Sequence, residues 1–197
     1  YNAERLEAAQ QNVQVTNRTA RFLRPSDGME RTFRTAAIGL AKEHPFARAL
    51  INTGRMAVAN TYTRSSICDA TGGQSVQNVA FQWADGSAGR VNDLLQWAGD
   101  ELLVLVFGEI SRTALGHLQQ LTQLAPVRAV QVLGAKDRAQ AREHVRDPQG
   151  HLRDACHVFG HTWALLRPDG YLAATGEAVD SDLVAAIERG LGLAAQD

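Results

Sequence analysis

A chain of 197 residues is long enough to bury one large core, or a domain with an appendage. It is 45% hydrophobic and 21% charged with a net charge of −1, so nothing in its overall charge argues for nucleic acid or an acidic membrane as partner. Two cysteines are too few for a disulfide-built scaffold, and no apolar run of roughly 18 residues exists to span a bilayer.

Asn2 to Leu23 contains no Gly or Pro and reads as a helix. Leu6, Ala9, Val13, Thr16, Ala20 and Leu23 recur at spacings of three and four and share one face. Arg18 and Arg21 form a basic face, either solvated or set against an acidic partner. Pro25-Ser26-Asp27-Gly28 ends this helix, and Asp27 with Glu30 has the spacing of a reciprocal cap for the next. The second helix runs to Glu43 with Phe33, Ala37, Leu40 and Ala41 as its stripe. Pro45 suits the first turn of a third helix, Phe46–Ile51, which stops by Gly54. Charge divides at this point. Residues 1–55 hold nine Lys/Arg against five Asp/Glu, and residues 56–197 hold eleven against sixteen.

Residues 56–75 lack periodicity and read as a linker or irregular crossing segment, with a domain boundary near 56–62. Three regions follow from this: a helical segment, 1–55; the crossing segment, 56–75; and a second domain, 76–197. Val76–Trp83 is a candidate strand, Asp85-Gly86 a turn, and Val91–Ala98 a short helical turn. Leu102–Phe107 is a continuous apolar run between Asp100-Glu101 and Gly108, the pattern of a buried strand. Ser111 caps a helix to Leu124 with Leu115, Leu118 and Leu121 or Thr122 inward. After Pro126 comes a second strand, Val127–Leu133, so the two are expected to be parallel. Asp137–Val145 reads as a polar helix, Asp147-Pro148-Gln149-Gly150 as a turn, and Leu152–Val158 as short and helical or irregular. Arg167-Pro168-Asp169-Gly170 joins Thr162–Leu166 and Tyr171–Ala174 in a hairpin. Asp180 caps a last helix, Ser181–Leu191, with Leu183, Val184, Ile187 and Leu191 inward.

Few constellations suggest chemistry. Gly190-Leu191-Gly192-Leu193-Ala194-Ala195 has the letters of a dinucleotide fingerprint. It follows a helix, however, where the mechanism needs a strand before and a helix after. His151, Cys156, His157 and His161 are zinc-ligand types, but Gly160 interrupts the helix that a His-x3-His pair requires. They read as surface and boundary residues around a turn. No G-x-S-x-G is present. Cys156 is expected as a small apolar filler, and Cys68 has no neighbouring base. Trp83, Trp97 and Trp163 read as core anchors, with no interleaved basic groove for a stacking platform. No catalytic, cofactor-binding or metal-binding residue is assigned.

The strand, helix, strand and hairpin order of residues 76–197 is similar to a thioredoxin-like α/β domain. Where such a domain carries Cys-x-x-Cys, this chain reads Gly108-Glu109-Ile110-Ser111. The proline that precedes the hairpin's first strand in that fold is replaced as well, since His161 precedes Thr162. Thiol chemistry needs a thiolate at the helix N-terminus. The expected fold class is therefore α/β, a thioredoxin-like domain without redox cysteines, preceded by a helical segment. A free-standing thioredoxin-like redox or binding module is the alternative.

Four segments carry a further resemblance: Tyr1-Asn2-Ala3-Glu4-Arg5; Leu40-Ala41 through His44-Pro45-Phe46-Ala47-Arg48; Asn52-Thr53-Gly54-Arg55; and Trp163-Ala164-Leu165-Leu166-Arg167-Pro168-Asp169-Gly170. In this order they resemble the C-terminal part of the FAD-dependent aromatic hydroxylases, of the phenol hydroxylase and 3-(3-hydroxyphenyl)propionate hydroxylase kind. The resemblance implies a parent monooxygenase that uses FAD, NAD(P)H and O₂ to hydroxylate a phenolic ring. It also implies that residues 1–55 complete the flavin and substrate region of that parent, and that the rest serves structure and assembly. The family's flavin motifs lie upstream, so the chain itself is expected to bind no FAD and to be inactive alone. The expected partners are the N-terminal flavin domain and a second copy, with no nucleic acid and no membrane. The opening at Tyr1, already helical, fits a piece of a longer protein. Arginine outnumbers lysine 18 to 2, which suggests a GC-rich bacterial source, and a reducing cytoplasm is the expected compartment. With a flavin domain missing, the stripe around Phe33, Leu40 and Phe46 is expected to be partly exposed.

Overall fold

The computed structural model describes residues 2–51 and 59–193 and divides into two compact units, 1–62 and 63–197. The expected stop at Gly54 lies outside the described residues.

The first unit holds α1 (Asn2–Leu23), α2 (Gly28–Glu43) and α3 (Pro45–Ile51). The turn between α1 and α2 is fixed by side chains. Asp27 Oδ1 accepts from the Glu30 backbone N–H at 2.7 Å. The Glu30 carboxylate reaches back to Ser26, accepting from its N–H at 2.7 Å and its hydroxyl at 2.8 Å. These bonds, the backbone one first, hold the Glu30 carboxyl below its ordinary value.

Most of the large apolar side chains of this unit are exposed. Along α1, Glu4 and Ala8 are buried and Glu7, Gln11, Val15 and Phe22 half-buried, a set that shares one face at helical spacing. Leu6, Val13 and Leu23 lie on the other side and are exposed. In α2, Ala37 is buried, while Met29, Phe33 and Leu40 share an exposed face. Phe33 is 61% exposed, Leu40 45%, and Phe46 of α3 65%.

The second unit is a three-layer α/β/α structure. Its elements are β1 (Ala80–Trp83), β2 (Ala88–Arg90), α4 (Val91–Ala98), β3 (Leu102–Phe107), α5 (Arg112–Leu124), β4 (Val127–Leu133), β5 (His144–Arg146), α6 (His151–Ala155), β6 (Trp163–Leu166), β7 (Leu172–Gly176) and α7 (Ser181–Gly190). They build one sheet of order β2-β1-β5-β4-β3-β6-β7. β3 and β4 are parallel, with Leu102 opposite Val127 and Phe107 opposite Val132. β6 is antiparallel to β3, and β7 to β6. The sequence β3-α5-β4 followed by β6-β7-α7, in sheet order β4-β3-β6-β7, is the thioredoxin-like core. The β1–β2 hairpin and β5 extend it on the β4 side.

β3 is buried along its whole length because both of its faces are covered. Leu103, Leu105 and Phe107 join Val91 and Leu94 of α4 and Leu152 of α6 in one core. Leu102, Val104 and Val106 join Leu118 of α5 and Leu183 and Ile187 of α7 in the other. Val184 departs from expectation and stands at the surface.

The expected helix over Asp137–Val145 is absent. The segment is a loop that ends in β5, whose His144, Val145 and Arg146 pair with Gln131, Val132 and Leu133 of β4. The cause lies in tertiary hydrogen bonds. The Asp137 carboxylate accepts from Gly134 N–H at 2.7 Å, and the Gln131 amide takes the N–H groups of Gln140 and Ala141 at 2.8 and 2.9 Å. Backbone donors bound this way are not available to a helical ladder. β1 is shorter than the expected strand, and β2 carries no strand signal in its Ala-Gly-Arg sequence.

Residues 69–75 form a strap along the outer edge of β7. Asp69 N–H donates to Ala173 O at 2.9 Å, Gly73 N–H to Leu172 O at 2.7 Å, and Leu172 N–H to Gln74 O at 2.8 Å. Thr175 N–H reaches the Thr71 hydroxyl at 2.9 Å. The strap covers an edge that would otherwise offer a row of free donors and acceptors.

The short helix α6 depends on a buried carboxylate. Asp147 accepts from Leu152 N–H at 2.9 Å and Arg153 N–H at 3.1 Å. Asp147→Ala leaves those donors unbound and is expected to cost about 1–2 kcal/mol. Urea unfolding followed by tryptophan fluorescence measures the loss.

Candidate functional site

The position where a thioredoxin-like fold holds its thiols is the turn from β3 into α5. Gly108 sits there at φ +87°, a left-handed conformation suited to glycine. Its N–H donates to Val132 O at 2.8 Å, and its carbonyl accepts from Gln131 Nε2 at 2.9 Å. Ser111 is the N-cap of α5, its hydroxyl accepting from Ala114 N–H at 3.1 Å. Ile110 points into the core. The turn carries a cap and a core residue where the chemistry would need a thiolate.

The two cysteines are free and buried, and both lie elsewhere. Cys156 sits in the core beside Leu152 and Val158. Burial, with a smaller contribution from the nearby Asp147 charge, pushes its thiol up to about 12. It is a packing residue, as its apolar context suggests. Cys68 lies under Arg167, whose Nη1 is 3.6 Å from the sulfur. That guanidinium also binds the Asp169 carboxylate at 2.7 Å and lies over the Tyr171 ring.

The histidines do not converge. His151 opens α6 at the surface, and His157 has a left-handed backbone at φ +54°. Among the described residues, no group of three His, Cys, Asp or Glu side chains could hold a metal ion. Trp163 is a buried anchor whose Nε1 donates to Ala178 O at 2.7 Å. Trp83 stands edge-on to Phe81, and Trp97 lies under the Arg128 guanidinium at 4.8 Å. Arg128 is also paired with Glu101.

Two clefts flank the turn. One of about 460 Å³ runs beside α5 and β4, lined by Trp97, Leu115, Leu118, Arg128 and Gln131. The other, about 370 Å³, opens at the carboxyl ends of β3 and β4 between Gly108, Asp137, Asp147 and Arg153. In the second, Asp137 and Asp147 already bind backbone N–H groups. Arg153 lies over Phe107 and points to the carbonyls of Val158 and His161 at 3.5 and 3.4 Å. The polar groups there serve the loops.

Of the glycine-rich run that ends α7, Ala194 and Ala195 lie outside the described residues. A Cβ on Gly190 would lie 3.1 Å from Leu102, so this glycine packs against β3. No helix among the described residues is long and apolar enough to cross a membrane.

Residues 72–189 match the family model described as the HcaD C-terminal domain. The chain belongs to the HcaD C-terminal domain family. The matched stretch begins within the strap and ends within α7, so it takes in the whole sheet. No curated protein sequence matches the chain. Among solved structures, the anhydrotetracycline hydroxylase OxyS from Streptomyces rimosus is 21% identical with a TM-score of 0.62, covering 95% of this chain and 34% of its own. The rebeccamycin biosynthetic enzyme RebC, solved with reduced flavin, is 19% identical with a TM-score of 0.57, covering 98% and 36%. Aklavinone-11 hydroxylase, in a complex with FAD and aklavinone, is 20% identical with a TM-score of 0.51, covering 81% and 34%. At these identities the matches show the shared fold, and this HcaD C-terminal chain spans about a third of the length of each.

Sequence reading located the vacant turn correctly but missed Gln131 and Gln140, which tie it down. The only signal was one amide residue at an inward position of the otherwise apolar end of β4.

Proposed function

We propose that this chain is the structural and assembly C-terminal region of a FAD-dependent, NAD(P)H-using monooxygenase that hydroxylates phenolic aromatic compounds. The observation that carries this reading is the exposure of large apolar side chains on α1–α3, namely Leu6, Val13, Phe33, Leu40 and Phe46. Burying side chains of this kind contributes about 1.5–3 kcal/mol each, so five of them exposed on three helices call for a cover. The cover is the N-terminal flavin domain of the same polypeptide. Likeness to about a third of three larger enzymes, two of them hydroxylases by name, supports this assignment. FAD and NAD(P)H belong to the parent, and no cofactor residue is assigned to this chain. The parent is a cytoplasmic bacterial enzyme that works as a homodimer.

Purified alone, the chain is expected to bind no FAD in an absorbance titration and to hydroxylate no phenol. It is also expected to leave the rate at which dithiothreitol alone reduces insulin unchanged. A yellow protein would contradict the first expectation. A faster rate that is abolished by substituting either cysteine would restore the thioredoxin-like redox module as the better reading. Left uncovered, the helical face drives self-association. Phe33→Glu with Leu40→Glu should lower the mass measured by light scattering at high concentration.

A further inference from the structure

The Gln131 side chain is almost wholly buried, yet every polar group it carries is used. Its Oε1 accepts from the N–H groups of Gln140 at 2.8 Å and Ala141 at 2.9 Å. Its Nε2 donates to Gly108 O at 2.9 Å and to Gln140 Oε1. Gln140 Oε1 in turn lies 3.5 Å from Ile110 N–H. One amide therefore joins the end of β4, the turn that replaces the redox site, and the loop of residues 134–143. These two connections flank the carboxyl ends of β3 and β4, where open α/β sheets place their ligands. Gly108 O and Ile110 N–H, which an incoming backbone could bind, are turned inward instead.

We propose that Gln131 is a clasp that makes the Gly108–Ser111 turn and the 134–143 loop open and close as one element, sealing the former thiol position. Gly108 N–H is also held by Val132 O and Gly134 N–H by the Asp137 carboxylate, while Gly108 O and the Gln140 and Ala141 N–H groups are held by the Gln131 amide. Losing it leaves donors or acceptors unmatched on both sides at once. Gln131 acts as a positioning residue.

Amide hydrogen exchange on the intact chain tests the coupling. In Gln131→Met, the Gly108, Ile110, Gln140 and Ala141 amides should all exchange at least tenfold faster, while Leu165 in β6 keeps its protection. Acceleration at Gln140 and Ala141 alone would overturn the proposal, because the amide would then be only a local cap. Gln131→Glu provides the second variant. Its carboxylate faces two acceptors, Gly108 O and Gln140 Oε1, whereas its protonated form can donate to one of them. Protection in both segments should rise in parallel as pH falls from 7 to 5, after correction for intrinsic rates. Protection that is independent of pH, or that changes in one segment only, would also overturn it.

Discussion

Gly72→Ala is expected to lower the stability of the second unit by about 3 kcal/mol and to detach the strap from β7. A Cβ on Gly72 would lie 2.2 Å from Ala173 O, 2.7 Å from its carbonyl carbon and 2.8 Å from Leu172 O. All three are backbone atoms of a strand that is bonded to β6 on one side and to the strap on the other. No side chain can rotate away, so strand or strap must move, and overpacking of this kind costs about 1–3 kcal/mol or more. All three tryptophans lie in the second unit, so their fluorescence in urea reports on it alone. A loss below 0.5 kcal/mol would mean that the strap is not held as described.

Cys156 should give the chain an alkaline sensitivity. Its thiol is pushed up to about 12 in the fold, against an ordinary value of 9.0. Below pH 9 the thiol is protonated whether folded or unfolded, and the stabilisation is fully present. Above pH 9 the unfolded chain releases the proton while the folded chain keeps it, so stability falls as pH rises toward 12. The slope for one such group is about 1.4 kcal/mol per pH unit. Between pH 9 and pH 10.5 the native chain should lose about 2 kcal/mol relative to Cys156→Ala, since other titrating groups are common to both proteins. Parallel stability profiles would show that the thiol ionises without penalty and is not sealed in the core.

Elements whose local signals agree with their tertiary setting were legible in the sequence. The run Leu102–Phe107, closed by Gly108 and followed by the Ser111 cap, is β3 leading into α5 residue for residue. The hairpin at Arg167-Pro168-Asp169-Gly170 is equally local, with Gly170 N–H returning to Arg167 O at 3.0 Å. Elements decided by distant partners were not legible. Residues 137–145 have the polarity of a surface helix, but Gln131 takes their backbone donors. β2 exists because Gly89 leaves room for Phe81 and Trp83, whose rings would lie within 3 Å of any Cβ there. The stripe on α1 was read correctly as a face, but spacing cannot say which way a face turns. The candidate site divides the same way, since the missing thiols are visible in four letters while the amide that closes the position depends on three-dimensional contacts.

The cover proposed for the exposed helices is the rest of a larger flavin enzyme. Sedimentation velocity of this chain mixed with the separately produced N-terminal portion of that polypeptide tests it most directly. The two are expected to co-sediment with one-to-one stoichiometry, and the complex to be lost when Phe33 and Leu40 are both replaced by Glu. Independent sedimentation of the two wild-type components would contradict it.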